Sequence, residues 1–225
     1  ILNANNLEIS PAATLNIISS GVLDITRDII NNGSLVFKSN EHGSGQLASF
    51  SGTISGTGDA TVERFIPANR TFRMLTSSVN ATSIFDNWQE AGNAPSGFGT
   101  HITGVQGIAG QMDATTGFDI TGTGSPSMFT FNNGVEGQTG GAAWTAVPNT
   151  NATNLSAGTP YRILIRGDRN VDLTANTSTN VTTLRADGDL ETGAVTYNFT
   201  HPDNFVFVGN PYQSVPEVLM DFLDQ

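Results

Sequence analysis

Three groups of residues in this 225-residue chain are of types and spacings that could do chemistry. Asp187, Asp189 and Glu191 fall in "ADGDLE". Spaced carboxylates around a glycine are how a loop offers oxygens to calcium. Asp113 and Asp119 are further oxygen donors in loop-rich sequence. The run lacks the full twelve-residue calcium pattern, so a calcium loop and a polar hairpin turn both stay open. Trp88 and Trp144 could stack on sugar rings, or anchor loops on a core. Arg166-Gly167-Asp168, in "YRILIRGDRNVDLT", matches an integrin-type adhesion tripeptide. Tyr161, Ile163 and Ile165 alternate into it, and Val171 and Leu173 run out of it. A hairpin tip is therefore the reading taken, since Gly permits positive φ and Asp tolerates it.

Other chemistry finds no pattern. His42, His101 and His201 are far apart and lack a metal spacing. The Gly-rich stretches lack the ending of a phosphate loop. A triad assembled in space leaves no sequence signature, so no catalytic residue is assigned and no cofactor is expected beyond the calcium option.

Composition narrows the partners. Formal net charge is −11, and of nine basic residues only Lys38 is a lysine. Nucleic acid and anionic membrane surfaces both need clustered cations, so neither is expected as a partner. No run approaches the roughly 20 apolar residues of a membrane span, which argues against membrane insertion. Charged residues are only 13% of the chain and cysteine is absent. Solubility then rests on Asn, Thr, Ser and Gly, a balance that fits an exported bacterial protein.

The elements that must position these residues read as all-β. Leu7-x-Ile9, Leu15-x-Ile17, Leu23-x-Ile25 and Leu35-x-Phe37 are alternating apolar pairs separated by turn residues. The first two steps are eight residues and the third is longer. Period-two alternation buries one face of each short strand. Regular repetition predicts a β-solenoid-like part over 1–58, with an antiparallel meander as the alternative. A β-sandwich-like part with long loops is predicted over 59–225, starting with strands in "ATVERFIPANRTFRML". Further strands are predicted at 127–133, 161–165, 181–185, 194–199 and 205–208, the third and fourth of this set flanking a turn at "ADGDLETG". Ser214, Pro216 and Glu217 mark the start of a short C-terminal helix with Val218, Leu219, Phe222 and Leu223 on one face.

Several strings in order, "ATVERFIPANRTFRMLTSSV", "DNWQEAG", "GFGTHITG", "FDITGTGSPSMFTFNN", "AGTPYRILIRGDRNVDL", "TTLRADGDLETG" and "FVFVGNPYQSV", resemble large secreted surface proteins of Bacteroidetes exported by the type IX secretion system. The resemblance spans nearly the whole chain. It implies an extracellular or cell-surface location and a structural or adhesive role, and it brings no active-site residues. The family's C-terminal sorting domain is not among these strings. Similar sequences continue past a "GNPYQS"-like motif, so the 59–225 part is expected to be truncated at Gln225. The expected function is a non-enzymatic structural or adhesive module, self-assembling into a filament or surface layer. Expected partners are other copies of the chain, other surface proteins, or polysaccharide. The alternative is a carbohydrate-binding module of a secreted polysaccharide-degrading enzyme.

Overall fold

The structure, a computed structural model, describes residues 1–135, 143–175, 178–197 and 206–214. The alternating pairs of the first sixty residues become short strands. They are β1 (Leu2–Ala4), β2 (Leu7–Ile9), β3 (Thr14–Ile17), β4 (Val22–Ile25), β5 (Ile29–Asn31), β6 (Ser34–Phe37), β7 (Ser39–Asn40), β8 (Gly43–Ser44), β9 (Gln46–Leu47), β10 (Ile54–Ser55) and β11 (Ala60–Ile66). Apart from the small β7–β8 hairpin, none pairs with its sequence neighbour. Instead β1-β4-β9, β2-β5-β10 and β3-β6-β11 form three parallel ladders, which the chain visits three times in the same order. Ladder partners lie 20 to 25 positions apart, from Leu15 with Leu35 to Leu35 with Ala60. Strands eight residues apart are thus successive sides of one winding, and the intervening chain provides the long connection that parallel pairing needs.

In-register pairing stacks like on like. Leu2, Leu23 and Leu47 form one apolar column; Leu7, Ile29 and Ile54 form a second; Ile17, Phe37 and Val62 form a third. Leu23, Ile29 and Phe37 are fully buried. Each such side chain contributes about 1.5–3 kcal/mol on leaving water. The turns carry a second, polar column. The Asn6 carboxamide oxygen accepts from the Asp28 N–H, and the Asp28 carboxylate accepts from both the N–H and the hydroxyl of Thr53. At the next corner a Cβ on Gly33 would lie 2.4 Å from the Ala13 oxygen, and one on Gly58 would lie 2.1 Å from the Gly33 oxygen. Successive turns pack backbone on backbone there, which only glycine allows.

Asn31 locks that corner. Its oxygen accepts from the Gly33 N–H, and its amide donates to the carbonyls of Gly58 and Asp59 at 2.9 Å each. Asn31→Ala leaves these buried groups without partners and is expected to cost about 2 kcal/mol, read as a lowered urea midpoint with unchanged slope.

The rest of the chain is loop-rich, and all but one of its own strand pairs are antiparallel. It comprises β12 (Thr71–Leu75), β13 (Val79–Ala81), β14 (Thr103–Gln106), β15 (Asp119–Thr121), β16 (Met128–Phe131), β17 (Trp144–Ala146), β18 (Tyr161–Ile165) and β19 (Thr182–Leu190). One five-stranded sheet has the order β13-β19-β11-β6-β3, and a four-stranded sheet the order β12-β18-β16-β17. Strand β11 pairs parallel with β6 and antiparallel with β19. The sheet therefore runs unbroken past the 58/59 division. The two sheets meet around Trp88, where Val62, Leu184 and Ala186 face Leu75. Trp88 stands edge-on to Tyr161 with ring centroids 5.6 Å apart.

The chain is all-β, with a single 3-10 turn at Glu90–Gly92 among the described residues. Several local expectations are corrected. "ADGDL" is not a turn but the second half of the nine-residue strand β19. Ala194–Tyr197 carries no strand, and 198–199 lie outside the described residues. Val206–Val208 also lacks strand pairing; Val206 and Val208 are exposed, and only Phe207 packs inward, on Phe131 and Trp144. The expected C-terminal helix falls, beyond Ser214, outside the described residues.

Candidate functional site

The densest polar centre was not anticipated as a unit. Asp119, at the start of β15, is buried and accepts a bidentate pair from Arg169, with both nitrogens at 2.9 Å. The same carboxylate accepts from the Ile102 N–H and the Gln89 amide, and His101 Nδ1 lies 3.2 Å away. Arg169 also donates to the Thr100 carbonyl. Burial alone would push the Asp119 carboxyl up, but hydrogen bonds from His101 and Arg169 and the Arg169 charge outweigh it and hold the group below its usual range. His101 Nε2 faces the Val171 carbonyl at 3.2 Å rather than a cleft. Asp119, Arg169 and His101 therefore tie loops 87–103, 113–119 and 166–171 together. They are 18 to 68 residues apart, which hides the cluster from any motif search.

Arg166-Gly167-Asp168 lies beside this centre, and the hairpin-tip expectation is corrected. Strand β18 pairs with β12 and β16, and among the described residues no strand after residue 168 returns along it. Gly167 has φ 139°, and a Cβ there would lie 2.2 Å from the Asn180 side-chain oxygen. Asp168 is 2% exposed. Its carboxylate accepts from the Gly97 N–H at 2.7 Å, the Asn170 N–H at 2.9 Å and the Asn180 amide at 2.9 Å. An integrin-type ligand must offer this carboxylate to a partner, and here it is consumed by the fold.

Both acids make the fold acid-sensitive. Burial raises the Asp168 carboxyl, but its amide and backbone donors prevail and lower it. A folded-state value below the unfolded one, near 4, gives stability that is present above that pH and lost as pH falls through the folded value. Urea midpoints are expected to hold from about pH 5 upward and to fall below about pH 4, with a shallower acid limb in Asp168→Asn.

The calcium candidates are not brought together. Alternation along β19 leaves Asp187 and Asp189 exposed on one face of an extended strand, which spaces them roughly 6–7 Å apart. Asp187 accepts from the Thr61 hydroxyl and Glu191 from the Asn80 amide. Burial, and after it the charges of Asp187 and Asp189, raise the Asp59 carboxyl across the sheet. Asp113 accepts from Thr116 and Thr115. Among the described residues no three His, Cys, Asp or Glu side chains are grouped to hold a metal ion.

Two surfaces remain. A cleft of about 410 Å³ is walled by Phe50 and Tyr212, with Glu191 as its charged wall. Gln213 closes one side: its carbonyl accepts from the Leu47 N–H, and its side chain bonds Ser78 and Gly45. The second surface is the outer face of the four-stranded sheet. Tyr161, Ile163 and Ile165 point inward from β18, so Arg162 points out, in register with Met74 on one side and Phe129 on the other. Phe131 lies opposite Trp144 on the same outer face, with ring centroids 4.8 Å apart. Trp144 is half-buried here, whereas Trp88 is 4% exposed and cannot serve as a sugar platform.

No family model, characterised protein or solved structure matches the chain. No helix among the described residues is long and apolar enough to cross a membrane.

Proposed function

We propose that the chain is a non-enzymatic structural or adhesive module of a secreted bacterial surface protein, of the type IX-exported kind that its sequence resembles. The supporting observation is the threefold return of the chain to the same three parallel ladders. Continued with β11 into the antiparallel sheet, it reads as a short β-solenoid fused to a β-sandwich-like part. Stacked apolar and Asx columns make such a body stiff, because each turn is held by its neighbours. Strands β1, β2 and β3 each have a ladder partner on one side only among the described residues, and edges of this kind accept strand addition from a second copy. Light scattering of the purified chain should show concentration-dependent association, and limited proteolysis should spare residues 1–66. A strictly monomeric species at all concentrations, together with ready cleavage within the ladders, would remove this reading.

The glycan-binding alternative is favoured by one observation, the outward aromatic face that contains Trp144. It no longer includes Trp88.

A further inference from the structure

We infer that the outer face of the β12-β18-β16-β17 sheet binds an acidic polysaccharide, with Arg162 gripping its carboxylates and the flanking rings supporting its sugar faces. The inference deepens the glycan-binding reading and is independent of the scaffold reading.

Arg162 carries it. Its guanidinium lies 4.2 Å from the Phe72 ring centroid, 6.0 Å from Phe129 and 5.7 Å from Trp144. These rings fix the planar group on a rigid strand, so little rotamer entropy remains to be lost when it grips an anion. The ion pairs among the described residues are Lys38–Glu63, His42–Glu41, His101–Asp119, Arg169–Asp119 and Arg185–Glu90. Arg162 is in none of them, although the chain holds twenty acidic residues against nine basic ones. A half-buried cation with aromatic neighbours and no carboxylate partner among the described residues is complementary to an incoming carboxylate, which it can take bidentately. Phe207 covers Phe131 and Trp144. Phe72 and Met74 stay 39% and 54% exposed beside Arg162. Flat apolar surface next to a fixed fork suits a sugar ring with a carboxylate substituent. An acidic peptide would use the fork but not the rings. The open sheet face, unlike a closed pocket, suits a polymer lying across strands.

The test is affinity electrophoresis of the purified chain in gels containing polygalacturonate, dextran or polyglutamate. Retardation is expected in polygalacturonate alone, and it should weaken with added salt. Arg162→Gln and, separately, Phe72→Ala should each weaken it about tenfold or more, the scale of a lost charge-assisted contact. Both side chains are on the surface, and a thermal melt of each variant checks folding. Equal retardation by dextran would leave glycan binding in place but overturn the acidic preference. Polyglutamate binding of equal strength would assign the face to acidic peptides instead. Absence of retardation in wild type, or an unchanged affinity in folded Arg162→Gln, would overturn the inference outright. None of these outcomes bears on self-association, which light scattering reads separately.

Discussion

Asp119→Ala is expected to destabilise the protein by about 3–5 kcal/mol, the range for removing one partner of a buried ion pair. The cause is the charge left behind. Arg169 has a side chain only 5% exposed and would keep its guanidinium in the interior without its bidentate acceptor. The Ile102 N–H and the Gln89 amide would lose the same oxygen. Lys38–Glu63 sets a contrast: Glu63 is buried, but the Lys38 side chain is 44% exposed, so its ammonium keeps water and Lys38→Ala should cost less than Asp119→Ala. Removing both buried charges together, as Asp119→Leu with Arg169→Met, should recover much of the single-variant loss, because no uncompensated ion remains. Urea unfolding of the four proteins in this cycle measures the coupling. A loss below about 1 kcal/mol for Asp119→Ala would mean that water reaches the centre and that the loops are held by something else.

That centre also shows where sequence reading stops. Alternation in Leu7-x-Ile9 or Tyr161-x-Ile163-x-Ile165 states which face of a strand is buried, and the strands duly formed with those residues inside. Alternation does not state which strand is the partner. The eight-residue spacing was therefore visible, while the 20-to-25-residue ladder offset was not. The turn residues Gly188 and Asp189 misled in the other direction. Within β19, Gly188 lies beside Ala60 and Ala81, and a Cβ there would be 2.3 Å from the Asn80 oxygen. Close strand approach, rather than turn formation, accounts for the glycine, and ladder hydrogen bonds override its weak strand propensity. Arg-Gly-Asp misled because a motif has no burial attached to it; the donors that occupy Asp168 come from residues 97, 170 and 180. The outward parity of Arg162 was legible from its alternation with buried Tyr161 and Ile163. Its aromatic neighbours were not, since Phe72 and Phe129 reach it from strands about 90 and 30 residues away.

Trp88→Ala is expected to cost about 3–5 kcal/mol, and this effect separates the two tryptophans that the sequence presented as equivalent. Trp88 is 4% exposed and packs between the sheets, edge-on to Tyr161, which is itself 2% exposed. Truncation there leaves a cavity bordered by two strand layers that cannot collapse onto it, so the cavity cost adds to the lost burial. Trp144 is half-buried, on the outer face under Phe207, and neighbouring side chains can move into the space it vacates. Trp144→Ala should therefore cost about 1–2 kcal/mol. Thermal melts of both variants give the stability order directly. Glycan retardation measured well below each melting temperature then gives the functional order. A folded Trp88→Ala protein should bind as wild type does, because its indole never reaches solvent. A variant that kept its stability but lost glycan binding would place Trp88 on the surface, against the packing described above. The same logic fixes how any binding loss in this protein must be read: a residue buried between the sheets acts through the population of folded chain, and a residue on the outer face acts through contact.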